Sequence, residues 1–392
     1  MLNQGRVDVG LAPRPSSAPM AAPARTLNPA ERLDWLRLIR SENVGPVTFY
    51  HLLARFGSAE AALAALPEVA RRGGRARPLS LFPRAAAERE MQQLQAAGAR
   101  LVAWGEHDYP TALAALDDAP PLISIKGDSA LLSRNAFAVV GARNASANGR
   151  RFARDMAMQL GQHGIVVVSG LARGIDAAAH EGALASGTIA ALAGGIDQVY
   201  PEENRGLHEQ IAERGVLIAE LPVGTEPQAR HFPRRNRIIS GCALGVLVVE
   251  AALRSGSLIT ARFALEQGRD VFAVPGSPLD PRCRGANDLI RHGAILCETV
   301  DDIMRELQPR LGVTLEERKR EAFTPSESIA PGESEFSHSR ARLVELLSPT
   351  PVPVDELVRQ CHLSPALVMT ILLELELAGR IGRHPGNQVS LL

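Results

Sequence analysis

The sequence predicts an α/β chain: an extended Rossmann-like parallel sheet domain, a helical N-terminal domain and a C-terminal winged helix. Three observations carry this. Between residues 136 and 298, short runs of Val, Ile, Leu and Ala alternate with helix-length segments. The turns behind those runs are rich in glycine or serine and carry arginine. Residues 338–392 read as helices followed by a hairpin.

The elements follow in order. Residues 1–28, rich in Ala, Pro, Ser and Arg without a continuous apolar run, predict a disordered tail rather than a signal peptide. Residues 29–70 form the helical domain. RLDWLRLIRS (32–41) has apolar residues at helical spacing, NVGPVTFYHLLARFG (43–57) places a Gly-Pro turn between two helices, and Ser58 caps a third. The set is helix-hairpin-helix or SAM-like. Its hairpin amides could meet a DNA phosphate, or the domain could be a small packing and partner-contact module; few basic residues flank the hairpin.

The main domain spans 71–308. After a loop at 71–78 come a helix at 81–100, a strand at 101–104, and a helix, proline break and strand across 109–128. The parallel strands are expected at 136–142, 164–170, 188–194, 216–221, 244–251, 270–276 and 294–298. Their nearly continuous apolar character marks strands buried on both faces. Residues 309–337 are polar and Pro/Ser/Glu-rich, a linker. The winged helix, 338–392, starts its third helix at Ser364. That helix carries Glu374 and Glu376 and no basic residue before Arg380, a face that repels phosphate and suits protein contact or regulation.

At 392 residues, two or three domains are expected. The formal net charge is zero, so only local patches can speak for nucleic acid. Aromatics at 4% exclude a surface built mainly on base stacking. Cys242, Cys283, Cys297 and Cys361 lack metal spacing and read as reduced thiols. No run of about 18 apolar residues occurs, so no membrane span is expected.

The chemistry lies in the turns: VVGARNASANGRR (139–151), VVSGLARGIDAAAH (167–180), HFPRRNRIISG (231–241) and VVEAALRSGSLIT (248–260). At the carboxyl ends of parallel strands, small residues let a ligand approach, while helix N-termini and arginines favour anions. A nicotinamide enzyme is excluded, because the first turn is not G-x-G-x-x-G and the second strand ends without the acidic residue for a ribose. A P-loop is absent. SGSLIT (255–260) is similar to the anion turn of LOG-type nucleoside monophosphate hydrolases, but the expected glutamate is missing and only Glu250 stands nearby. Asp176 and His180, one helical turn apart, are either a metal or acid/base pair, or a helix-start acid with a histidine bonded back to it. Arg143, Arg173, Arg234, Arg235, Arg237, Arg254 and Arg262 are expected to converge on one sheet edge. With Phe232 beside them, they suit single-stranded nucleic acid held by its backbone.

With these motifs in place, the chain resembles the DNA-processing protein A (DprA/Smf) family in its three-domain form. The resemblance rests on VVGARNAS (139–146), SGLARGIDAAAHEGAL (169–184), TIAALAGGIDQVYPEEN (188–204), FPRRNRIISG (232–241), EAALRSGSLITARFALEQGRDVFAVPG (250–276) and GANDLIRHGA (285–294). It covers about 30–300 strongly and 338–392 more loosely. It implies a cytoplasmic, non-enzymatic homodimer without cofactor or metal. Such a protein binds single-stranded DNA, displaces single-strand binding protein and loads the RecA recombinase during natural transformation. The implied DNA pocket holds Gly141, Ala142, Arg143, Ser146, Ser169, Gly170, Arg173, Gly174, Phe232, Arg234, Arg235, Asn236, Arg237, Arg254, Ser255, Gly256 and Ser257. The implied dimer interface holds Leu289, Ile290, Ile295 and Leu296. One departure is Gly187, where family members often carry a basic residue that contacts DNA.

Overall fold

The chain opens on helices whose starts are written in the sequence. A computed structural model describes residues 26–311, 333–384 and 386–392. Asn28 and Glu31 close a reciprocal capping box on α1 (Pro29–Arg40). Pro46 takes the first turn of α2 (Pro46–Phe56), and Ser58 caps α3 (Ala59–Arg72) through the Ala61 amide. α4 (Arg84–Ala96) is shorter than the expected 81–100, because it begins only after Pro83.

The main domain runs β1 (Arg100–Ala103), α5 (Thr111–Ala114), β2 (Leu122–Gly127), β3 (Ala136–Val140), α6 (Ala147–Gln162), β4 (Val166–Ser169), α7 (Ile175–Ala183) and β5 (Thr188–Leu192). It continues α8 (Arg205–Arg214), β6 (Val216–Ala219), α9 (His231–Gly241), β7 (Gly245–Val248), α10 (Gly256–Glu266), β8 (Asp270–Ala273), α11 (Arg284–Arg291), β9 (Ile295–Leu296) and α12 (Val300–Leu311). The strands make one nine-stranded sheet in the order β1-β2-β6-β5-β4-β3-β7-β8-β9. It is parallel from β6 to β9, as expected. β2 pairs antiparallel with β6 and with β1, so one edge reverses. The segment between β1 and β2 holds just the four-residue α5, too little for a parallel crossover.

β3 to β7 are fully buried along their lengths, with side chains in separate cores above and below the sheet. The chain winds outward from β3 through β4 and β5 to β6, then returns to place β7 on the other flank of β3. Such a reversal opens a crevice at the carboxyl ends of the strands.

One element differs in kind from expectation. The HFPRRNRIISG segment, read as a turn, is the helix α9. Its Pro233 falls in the first helical turn, where the missing N–H removes no intrahelical bond.

The C-terminal unit is a winged helix: α13 (Glu333–Glu345), β10 (Val352–Pro353), α14 (Val354–Cys361), α15 (Pro365–Leu377), β11 (Ile381–His384) and β12 (Gln388–Leu391), with sheet order β10-β12-β11. α15 is exposed at its start, but its second half, from Ile371 to Leu375 and at Leu377, is buried. Its Leu373 and Leu377 complete the N-terminal core with Leu52, Leu63, Leu66 and Val69. The Asn43 side chain donates to the Leu377 carbonyl at 3.2 Å. A β-carbon on Gly73 would lie 1.9 Å from the Glu374 carbonyl oxygen. Burial raises the Glu374 carboxyl above its usual range, against the pull of Arg55, Arg72 and Arg340.

Residues 1–25 of the expected tail and 312–332 of the expected linker lie outside the described residues; the linker's two ends belong to α12 and α13. Among the described residues, no helix is long and apolar enough to cross a membrane.

Candidate nucleic-acid interface

The turns after β3 and β4 are locked together by glycines. A β-carbon on Gly141 would sit 2.6 Å from Ile175 Cγ1. One on Gly174, at φ +75°, would sit 2.3 Å from the Ala142 carbonyl oxygen. The Ile175 amide donates to that carbonyl at 3.2 Å. Ser146 caps α6 through Gly149 N at 2.9 Å. Glu250, beyond β7, receives Ser146 N at 2.9 Å and Ser146 Oγ at 2.5 Å. Both its oxygens are thus engaged in holding a helix N-terminus, where negative charge is favoured.

Ser169 is fully buried and donates to the Val139 carbonyl at 2.6 Å, behind the turn rather than on its surface. The Asp176/His180 pair is not an acid/base pair, nor are the two bonded to each other. Asp176 accepts from Ala172 N at 3.4 Å. Thr188 Oγ1 spends its proton on the Val167 carbonyl at 2.7 Å, so His180 Nδ1 donates to Thr188 Oγ1 at 2.8 Å. His180 Nε2 then accepts from Leu171 N at 3.3 Å. This is a neutral imidazole, whose pKa burial lowers to about 3, with Arg235 adding to the effect. Among the described residues, no group of three or more His, Cys, Asp or Glu could hold a metal ion.

Above these turns lies a cavity of about 390 Å³, walled by Arg143, Gly170, Arg173, Tyr200, Phe232 and Arg235 among others. α9 places Phe232 and Arg235 three residues apart, hence on one face. Arg235 is buried. Its Nη1 donates to the Gly170 carbonyl and, at 3.2 Å, to the Ala191 carbonyl, while its Nε has no acceptor. Burial lowers its pKa to about 10, so it stays charged at neutral pH. The Arg143 guanidinium stands 4.8 Å from the centre of the Phe232 ring, and the Tyr200 ring centre is 5.7 Å away from it. Arg173 reaches Glu203 at 2.5 Å.

The other sequence-picked residues do not wall the cavity. Gly141, Ala142, Ser146 and Gly174 shape the turns behind it. Arg234 and Arg237 turn to Glu220, at 2.7 and 2.8 Å. Asn236 donates to the Gly256 carbonyl at 3.3 Å, tying α9 to the next turn. Ser255 caps α10 through Ser257, and Arg254 is exposed. Leu289 and Ile290 lie half-buried on α11, and Ile295 and Leu296 form the edge strand β9, with Leu296 exposed.

Sequence reasoning missed Tyr200 and Gly194. The glycine pair 194–195 behind an apolar run was a signal of the same kind as the other turns. Gly187 lies just before β5, at the opposite end of that strand from the cavity. It has φ +90°, and a β-carbon there would come within 2.7 Å of Leu131, which explains the glycine.

The family model of the DNA recombination-mediator protein A matches residues 100–308. The Smf protein of Escherichia coli is 39% identical over 313 residues, 79% of this chain and 82% of that one. The chain belongs to the DNA recombination-mediator protein A family. Models of the DprA-like N-terminal HHH domain and the DprA winged helix domain match 29–93 and 327–387. The X-ray structure of the family member from Streptococcus pneumoniae superposes with a TM-score of 0.62 at 34% identity, covering 72% of this chain and 99% of that one. The Helicobacter pylori member, solved to describe its single-stranded DNA binding mode, gives 0.50 at 27% identity, covering 54% and 96%.

Proposed function

We propose that this member of the family is a single-stranded DNA-binding recombination mediator, and that the strand is held in the Arg143–Phe232 cavity. The observation that carries the reading is the convergence there of Arg143 and Arg235 on an aromatic pair. Neither arginine makes a close ion pair among the described residues; the buried Asp176 carboxylate offsets part of the charge of both. Arginines bind backbone phosphates and rings accept stacked bases, so recognition is by phosphate and shape with little sequence preference. The recombination-mediator family model over residues 100–308 and the single-stranded DNA binding mode of the Helicobacter pylori member support it.

On this reading the protein is not an enzyme. Glu250, the acid a nucleotide hydrolase would need, is engaged by Ser146. It acts in the cytoplasm as a homodimer through Leu289, Ile290, Ile295 and Leu296, displaces single-strand binding protein and loads RecA. The helical unit at 29–70, the sheet domain at 71–308 and the winged helix at 338–392 divide the work.

The test is equilibrium binding of labelled oligo-dT by wild type and Arg143→Ala. The variant should bind at least about tenfold more weakly, about 1.4 kcal/mol. The slope of log affinity against log salt should flatten by about 0.7, the loss of one phosphate contact. Equal affinities would sink the assignment.

A further inference from the structure

α9 carries arginines at 234, 235 and 237 and puts them to different uses. Arg235 points at the carbonyls at the ends of β4 and β5, in the cavity wall. Arg234 and Arg237 point at Glu220, one residue beyond β6. Glu220 Oε1 accepts from Arg234 Nη2 at 2.7 Å and from Arg237 Nη2 at 2.8 Å, and its backbone carbonyl accepts from Arg40 Nη1 at 3.2 Å. Arg40 in turn pairs with Glu90 at 2.9 Å, so α1 and α4 brace the same point.

The two arginines differ in what they could do if released. The Arg237 side chain is 9% exposed and has a second carboxylate, Asp118, at 3.3 Å. Release would leave it buried. The Arg234 side chain is 42% exposed, and among the described residues Glu220 is the carboxylate that neutralises it. It stands one residue from Arg235 and two from Phe232. Burial would raise the Glu220 carboxyl, but Arg237 and Arg234 outweigh it and hold it below the usual range. The carboxylate is therefore ionised at neutral pH, and Glu220 Oε2 has no hydrogen-bond partner of its own.

We propose that Glu220 is a specificity-determining residue that sets how many arginines of α9 meet the DNA strand, withholding Arg234 while Arg235 is offered. The inference rests on the reading of the cavity as a single-stranded DNA site. A phosphate approaching Arg234 competes with a short ion pair whose carboxylate is already desolvated, and such pairs are not readily given up. The same contacts pin the face of α9 opposite Phe232 and Arg235. In this reading the arginine-rich segment contributes one DNA-facing cation rather than three.

Salt dependence counts phosphate contacts, at about 0.7 in slope for each contact on a single strand. It therefore separates this role from a merely structural one. The experiment measures oligo-dT affinity over a series of KCl concentrations for full-length wild type, Arg143→Ala, Arg234→Ala, Glu220→Gln and the Glu220→Gln/Arg234→Ala double variant. Arg143→Ala should flatten the slope by about 0.7, and Arg234→Ala should leave it at the wild-type value. Glu220→Gln, which keeps the side-chain volume, should steepen it by about 0.7, and the double variant should return it to wild type. A flatter slope for Arg234→Ala overturns the proposal and needs no Glu220 variant to fold. A folded Glu220→Gln protein with unchanged slope overturns it as well. If wild type shows no salt-dependent binding, or Arg143→Ala binds normally, the cavity assignment falls with it. A normal Arg143→Ala loss beside a flattened Arg234→Ala slope removes this inference alone.

Discussion

Single side chains decide where charge is available and where it is spent. Glu250 has both oxygens on Ser146, from 104 residues away in sequence. Its replacement by Gln should lower stability by about 1–3 kcal/mol, read as a lower urea midpoint with unchanged m-value. His180 is a buried imidazole that folding keeps neutral. Unfolded, it titrates near its ordinary value of 6.5; folded, at about 3. Between those values the unfolded chain binds a proton that the folded one refuses. Its stabilising share is therefore whole above about pH 6.5 and shrinks as pH falls toward 3, by up to about 1.4 kcal/mol per pH unit. His51, lowered to about 4 by burial and then by Arg383, acts in the same sense. Urea midpoints taken from neutral pH to about pH 5 should fall, and His180→Gln should reduce that slope; an unchanged slope would refute the neutral-histidine account. Caps such as Ser58 and Ser364 were legible in the sequence, because a cap is a local pattern. The Ser146–Glu250 and His180–Thr188 partnerships were not. The first joins the α6 N-cap to the turn after β7, neighbours only through the sheet order, and the second joins α7 to the start of β5, a contact that depends on how the helix packs on the sheet.

Elements were read best where one physical signal dominated. The apolar runs of β3 to β8 identify buried parallel strands, and the glycine-bearing exits of β3, β4 and β5 supply turns that meet the cavity. β9 is the exception among the parallel strands, just Ile295–Leu296 of the expected 294–298, at a sheet edge. α9 was misread because proline and clustered arginines look like a loop. The helical signal was the spacing, with Phe232 and Arg235 on one face and Arg234 and Arg237 on another. The Gly174 turn gives a test at this scale. Ala at this position adds a β-carbon 2.3 Å from the Ala142 carbonyl oxygen at a positive φ, so the two turns must separate. Gly174→Ala should lose oligo-dT affinity along with at least about 1 kcal/mol of stability, whereas Gly206→Ala, an open helical position with no neighbour in the way, should lose neither. Equal behaviour of the two variants in urea melts would show that the interlocking of the turns is unimportant.

At the scale of the whole molecule, the N-terminal helices and the winged helix meet. Asn43 and Leu377 bond across 334 residues, and α15 closes the core of the N-terminal helices. The clue lies in PALVMTILLELELAG, which is apolar on more than one face as a helix buried on several sides must be. What covers it could not be read from an acidic, phosphate-repelling face alone. Gly73→Val should drive α15 off α3 while each unit keeps its own fold, seen as a larger radius of gyration in solution scattering with unchanged helical content. An unchanged radius would place the contact elsewhere. The central claim concerns the other end of the sheet, where Arg143, Arg235, Phe232 and Tyr200 surround one cavity. Photocrosslinking of the full-length protein to an oligonucleotide carrying iodinated deoxyuridine, followed by peptide mapping, tests it most directly. The account predicts crosslinks on the peptides that contain Tyr200 or Phe232, and crosslinks confined to the N-terminal helices or the winged helix would contradict it.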